Sequence, residues 1–215
     1  MNRRAFIATA GVGGAGLTAG CIGNFLEDLT TYEAIPAEVS NAALEATRYE
    51  HDETDRWTDE ESVATETVEV TSYANEYSRT IDLSILGLGE IEAGVFGAIS
   101  TPQVDVAGES YNPVGEMEHD ELLADLQDRY GELSIASDTE IDSRELEAVS
   151  QTVSVATFEG EATLEDDESV DVFVDISQPD HGDDHLIFAG VYPQDIPDED
   201  DRIDTLIEGV EHEAE

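Results

Sequence analysis

The amino-acid sequence predicts an α+β fold, an antiparallel β-sheet packed by a few helices, the last of them amphipathic and C-terminal. Three observations carry that expectation. Apolar and polar residues alternate along several segments, most clearly where Val170, Val172, Val174 and Ile176 are interleaved with Asp171 and Asp175, the period-two pattern of a half-buried strand. Ile203, Leu206, Ile207 and Val210 follow the i, i+3, i+4, i+7 stripe of a helix with one apolar face. Strands come grouped with a helix after them, an order that suits antiparallel pairing.

At the start of the chain, residues 1–20 read as a cleaved export signal rather than as structure. Arg3 and Arg4 form a charged start and Phe6 opens a short, glycine-rich apolar stretch. Ala19 and Gly20 then precede Cys21, the only cysteine. The apolar stretch is shorter than the roughly 20 residues a spanning helix needs, so a transmembrane anchor is the weaker alternative. A plain signal peptide with an incidental thiol is the other. The segment resembles twin-arginine translocation signals joined to a lipobox. That resemblance implies a lipid on Cys21 and a place on the extracytoplasmic face of a cell membrane. Stable anchoring takes more than one acyl chain, so a two-chain lipid is expected. Residues 21–30 become a short tether, and residues 31–215 a single acidic α+β domain.

Pro36 to Thr47 reads as a short helix with Pro36 at an early position and Val39, Ala43 and Ala46 on one side. Glu50 to Glu61 is polar throughout and reads as loop, with Trp57 as an edge-of-core anchor. From Ser62 to Ile81, Val68, Val70, Tyr73, Tyr77 and Ile81 mark one long bent strand or two shorter ones. Ile91 to Ile99 is apolar on both faces and reads as a buried strand, although a buried helix fits the same residues. Gln103 to Asn112 reads as a hairpin about Ala107-Gly108, ended by Pro102 and Pro113. Asp120 to Tyr130 carries helix signals, with Leu122, Leu123 and Leu126 on one face and Gly131 as a stop.

Thr152 to Leu164 reads as a strand whose alternation slips near Thr157-Phe158, the mark of a bulge or bend. Glu165 to Glu168 is a charged turn. The strand Val170 to Ile176, a loop from Gln178 to Asp184, and a central strand Leu186 to Tyr192 follow. Asp198 to Asp201 caps the closing helix and places negative charge at its positive end. There is no internal repeat.

Composition restricts the partners. Removal of residues 1–20 leaves six arginines and no lysine against 53 acids, a net charge of −47. Such self-repulsion opposes a compact state in dilute buffer, and 1 M salt shrinks the screening length to about 3 Å. Lysine-free, acid-rich chains resemble proteins of salt-loving archaea. Nucleic acid is excluded as a partner because the scattered arginines form no basic footprint. With Cys21 lipidated no disulfide forms, and the absence of lysine and of a free thiol removes Schiff-base and cysteine chemistry.

The sharpest chemical candidate is Asp180-His181-Gly182-Asp183-Asp184-His185, in which His181, Asp183 and His185 are the metal-ligand candidates. Against it stands a polar turn made of ordinary turn formers, and no metal or other cofactor is expected. Glu50-His51-Asp52-Glu53 and the group Glu116, Glu118, His119, Asp120 read as solvated surface. Gly87-Leu88-Gly89 lacks the third glycine of a phosphate loop, and no nucleophile elbow occurs.

Four segments carry a family resemblance: Ser100-Thr101-Pro102-Gln103-Val104, Tyr111-Asn112-Pro113-Val114-Gly115, Phe158-Glu159-Gly160-Glu161-Ala162 and Glu208-Gly209-Val210-Glu211-His212. From about Tyr32 to His212 the chain resembles an uncharacterised family of haloarchaeal lipoproteins, a domain of unknown function. The central strand running into Tyr192-Pro193, followed by a closing helix, is similar to PsbP/Mog1-like sandwiches, which are mostly binding and assembly proteins. The expectation is a lipid-anchored, non-catalytic binding or assembly module of the cell envelope. Its partners would be the membrane, through Cys21, and another envelope protein or a small ligand. A metal-dependent hydrolase and a solute-capture lipoprotein are the alternatives.

Overall fold

The structure, a computed structural model, describes residues 29–63, 66–82, 90–106, 109–110, 117–129, 133–135, 140–163 and 169–213. The export signal, Cys21 and most of the tether lie outside the described residues, as do Ala107-Gly108, Tyr111 to Glu116 and the charged turn Glu165 to Glu168. The first half contains β1 (Leu29–Glu33), β2 (Glu38–Val39), α1 (Asn41–Thr47), β3 (Glu50–Val63), β4 (Glu66–Asp82), β5 (Glu90–Pro102), β6 (Asp105–Val106) and β7 (Glu109–Ser110). The second contains α2 (His119–Arg129), β8 (Leu133–Ile135), β9 (Asp142–Ala148), β10 (Gln151–Thr163), β11 (Ser169–Ser177), β12 (Asp180–His181), β13 (Asp184–Pro193), α3 (Glu199–Glu208) and β14 (Val210–Glu211).

Ten strands join in one open sheet along the path β1-β4-β5-β13-β11-β10-β8, with β3 on β4, β9 on β10 and β12 on β13. Within it β1 pairs parallel to β4, while the other neighbours are antiparallel. The sheet is therefore mixed and the fold mostly β, with three described helices, rather than an even mixture of the two. Helices cover both faces. On one face α1 and α3 pack over Tyr77, Phe96, Leu186, Phe188 and Tyr192. On the other, Leu122 and Leu123 of α2 pack with Phe158, Val172, Val174 and Ile187. Gly190 of β13 lies so close to α3 that an added Cβ would stand 2.8 Å from Ile203 Cγ2.

The periodic segments fold as expected. β11 buries Val170, Val172, Val174 and Ile176, β13 is central, and Ile203, Leu206 and Ile207 of α3 are buried, whereas Val210, expected on the same helical stripe, is buried on β14 because the helix stops at Glu208. Residues 66–82 form one strand, residues 90–102 are strand rather than helix, and β6 and β7 make the expected hairpin.

Five details differ from expectation. Glu50 to Val63 is a 14-residue strand, not a loop. It is an edge strand exposed on both sides, so no apolar alternation marks it, and its ladder with β4 holds it extended. Trp57 is half-buried on it, opposite Ser72. The first helix begins only at Asn41, because Ser40 caps it through the Ala43 N–H, while Glu38–Val39 pairs with β14. Strand β10 has no bulge: its register is unbroken through residues 151–163. The apparent slip arises because Val153 and Val155 face α3 whereas Ala156 and Phe158 face α2. The fourth detail is β9, which sequence patterning missed, because its inward side carries Arg144 and Leu146 instead of a continuous apolar row. Finally, Asp198 takes a left-handed conformation at the start of α3 and its side chain makes no capping bond.

Candidate functional site

The hairpin formed by β12 and β13 turns through Gly182, whose φ of 64 suits a residue without a Cβ. Alternation across it separates the sequence candidates. Asp180 faces His185 and His181 faces Asp184, so the pairs point to opposite sides of the ribbon, and Asp183 is exposed at the turn. His185 Nδ1 pairs with Asp180 Oδ1. The candidates His181, Asp183 and His185 are thus not brought together. Among the described residues no three His, Cys, Asp or Glu side chains gather to hold a metal ion.

The structure instead brings in a residue that spacing did not suggest. His212, just past β14, sits between the two members of the second pair. Its Nε2 lies 3.0 Å from Asp184 Oδ2 and its Nδ1 lies 2.8 Å from His181 Nδ1. The His212 side chain is fully buried, and His181 is half-buried. Asp184 Oδ2 also accepts the Ile35 N–H at 2.8 Å, and the Gln103 amide donates to the Asp184 carbonyl at 3.2 Å. One carboxylate therefore ties together the segment after β1, the hairpin and the C-terminal tail.

The proton arrangement follows. An ionised carboxylate only accepts, so His212 donates from Nε2 and presents a lone pair at Nδ1. With both rings neutral, His181 then donates from its own Nδ1, which leaves its Nε2 as the acceptor. A carboxylate–imidazole–imidazole chain of this kind orients its outermost ring, as a carboxylate behind a histidine does in metal and hydrolytic sites.

Two further polar clusters centre on the buried carboxylates Asp175 and Glu199. Arg144 of β9 donates to Asp175 Oδ2 of β11 at 2.7 Å, to Thr157 of β10 at 3.0 Å and to Asp204 of α3 at 2.7 Å, and Tyr192 donates to Asp175 at 3.0 Å. Burial opposes the charge on Arg144, but the bonds to Asp175 and Asp204 outweigh it and raise its pKa. Burial likewise raises Tyr192 and Asp204. At the start of α3, Glu199 pairs with Arg79 of β4 and lies 3.3 Å from Arg202 Nε. Burial raises the Glu199 carboxyl despite both arginines.

The other sequence clusters stay at the surface. His51 on β3 bonds to Thr54 at 3.0 Å and meets Tyr77 edge-on. Glu118, His119 and Asp120 line an open cleft with Gln178, where the His119 ring stands edge-on to Phe158. No helix among the described residues is long and apolar enough to cross a membrane.

A family profile, "Domain of unknown function (DUF6517)", matches residues 36–211. Among curated proteins none matches the chain.

Proposed function

The chain belongs to the DUF6517 family, and from that premise we propose that it is a non-catalytic binding or assembly module of a haloarchaeal cell envelope, held outside the cell by a lipid on Cys21. The leader carries this reading: Arg3 and Arg4, a short apolar stretch, and Ala19-Gly20-Cys21, eight residues ahead of β1. The net charge supports residence in concentrated salt, where carboxylates remain hydrated and their repulsion is screened. A binding role is supported by the use of the buried charges. Arg144, Asp175, Asp204, Arg79 and Glu199 tie strands to α3, so each of these charges is engaged in holding the fold together. The resemblance of the C-terminal segment to PsbP/Mog1-like sandwiches, drawn from sequence, would suit such a role, although a fold does not decide function.

One observation favours a second reading. The chain Asp184–His212–His181 ends in a half-exposed imidazole, the arrangement of a general base. A hydrolase would place its chemistry there rather than on the metal set first suggested by residues 180–185. A solute-capture role remains the third.

Gentle purification from native membranes in multimolar salt tests these readings. The expected result is a mature chain starting at a doubly acylated Cys21 that co-elutes with an envelope protein. Unmodified Cys21, or a retained leader, overturns the assignment of place. Turnover that disappears in His181→Ala selects the hydrolase, and a stoichiometric small molecule selects solute capture.

A further inference from the structure

We infer that the domain stands on the membrane on one end of its sheet, with the Val63–Glu66 end of β3 and β4 (the tip) and the β12–β13 turn towards the lipid, and Asp82 and Ser169 away from it. The inference rests on the lipid anchor proposed above and adds an orientation to it.

Backbone register carries the argument. Leu29 lies opposite Thr67, beside the last hairpin pair, Val63 with Glu66. The chain therefore enters the sheet at the hairpin tip. Cys21 precedes Leu29 by eight residues, a reach of at most about 28 Å fully extended. From Thr67, β4 continues fifteen residues to Asp82, about 50 Å of strand. The tip is thus confined near the lipid surface, and the far end is not.

Two ties pass this constraint from β1 to the whole sheet. Glu33 accepts hydrogen bonds from Tyr73 and Arg56, and Asp184 holds the Ile35 N–H. Lying flat on the β3 flank would press Glu50, Asp52, Glu53, Asp55, Asp59 and Glu60, all exposed, against the surface and strip their hydration. The upright pose leaves Glu50, Asp52, Glu53 and Asp55 in solvent and brings only Asp59 and Glu60 of this set to the lipid end. Register also sets Asp184 opposite Pro102, two residues beyond the Ser100–Tyr73 pair and so level with Glu33. The His181–His212 pair consequently lies at the lipid end.

The test uses lipidated full-length protein in multimolar salt, bound to zwitterionic phospholipid vesicles that carry an energy acceptor on their headgroups. With Cys21 acylated, an introduced cysteine is the one free thiol. A donor dye is placed at Asp59→Cys, Asp183→Cys or Ser169→Cys, three exposed positions. Energy transfer from residues 59 and 183 is expected to exceed that from residue 169 several-fold. Equal transfer from all three, or the reverse order, overturns the orientation while leaving the anchor standing. Protein that fails to float with the vesicles and lacks the lipid mass overturns the anchor and the orientation with it.

Discussion

His181 and His212 meet Nδ1 to Nδ1 at 2.8 Å, a contact that requires a single shared proton. Asp184 sets its direction from the far side of His212. The ¹⁵N shifts of the two rings at neutral pH should therefore report the Nε2–H form for His212 and the Nδ1–H form for His181. Identical tautomers in both rings would contradict the chain. His212→Ala should cost about 2–3 kcal/mol in denaturant unfolding, because Asp184 keeps its burial but loses a charged hydrogen bond. His181→Ala removes only the outer partner and should cost about 1 kcal/mol.

Arg144 is the bridge between β9, β11 and α3. Arg144→Ala leaves Asp175, whose side chain is fully buried, without its cation, and should destabilise by about 3–5 kcal/mol. Arg144→Lys keeps the charge but not the fork that reaches Asp175, Thr157 and Asp204 together, so it should recover only part of the loss. Urea titration at fixed salt measures both. Full recovery by lysine would show that charge alone matters.

Glu199 predicts a pH dependence. Burial raises its carboxyl above the ordinary 4.5, and Arg79 and Arg202 offset this only in part. The folded state thus holds that proton more tightly than the unfolded chain does. Its contribution to stability is complete below about pH 4.5 and is lost as pH rises through the raised value. With salt constant, wild type should lose stability relative to Glu199→Gln across that window and run parallel to it above. A gap that widens in favour of wild type as pH rises would reverse the assigned direction.

Charge governs the whole fold. The chain carries 53 acids against eight basic residues, and the exposed β3 edge concentrates several of the acids. The isolated domain should unfold on dialysis into dilute buffer and refold in molar salt, followed by circular dichroism. A cooperative melt insensitive to salt would refute the repulsion argument.

Sequence alone determined the features that depend on near neighbours. The period-two run of β11, the apolar stripe of α3 and the β6–β7 hairpin fold as their patterns require, because each is decided by residues a few positions apart. Tertiary structure decided the rest. β3 has no apolar face to reveal it and is a strand because β4 supplies its hydrogen bonds. β10 breaks its alternation in sequence because its two halves are covered from opposite sides. The metal candidates of residues 180–185 separate because hairpin pairing sends neighbouring side chains to opposite faces. His212 joins Asp184 across 28 positions, and Arg144 reaches Asp204 across 60. Contacts between residues so far apart leave no periodic trace in a single chain, since folding alone brings them within bonding distance.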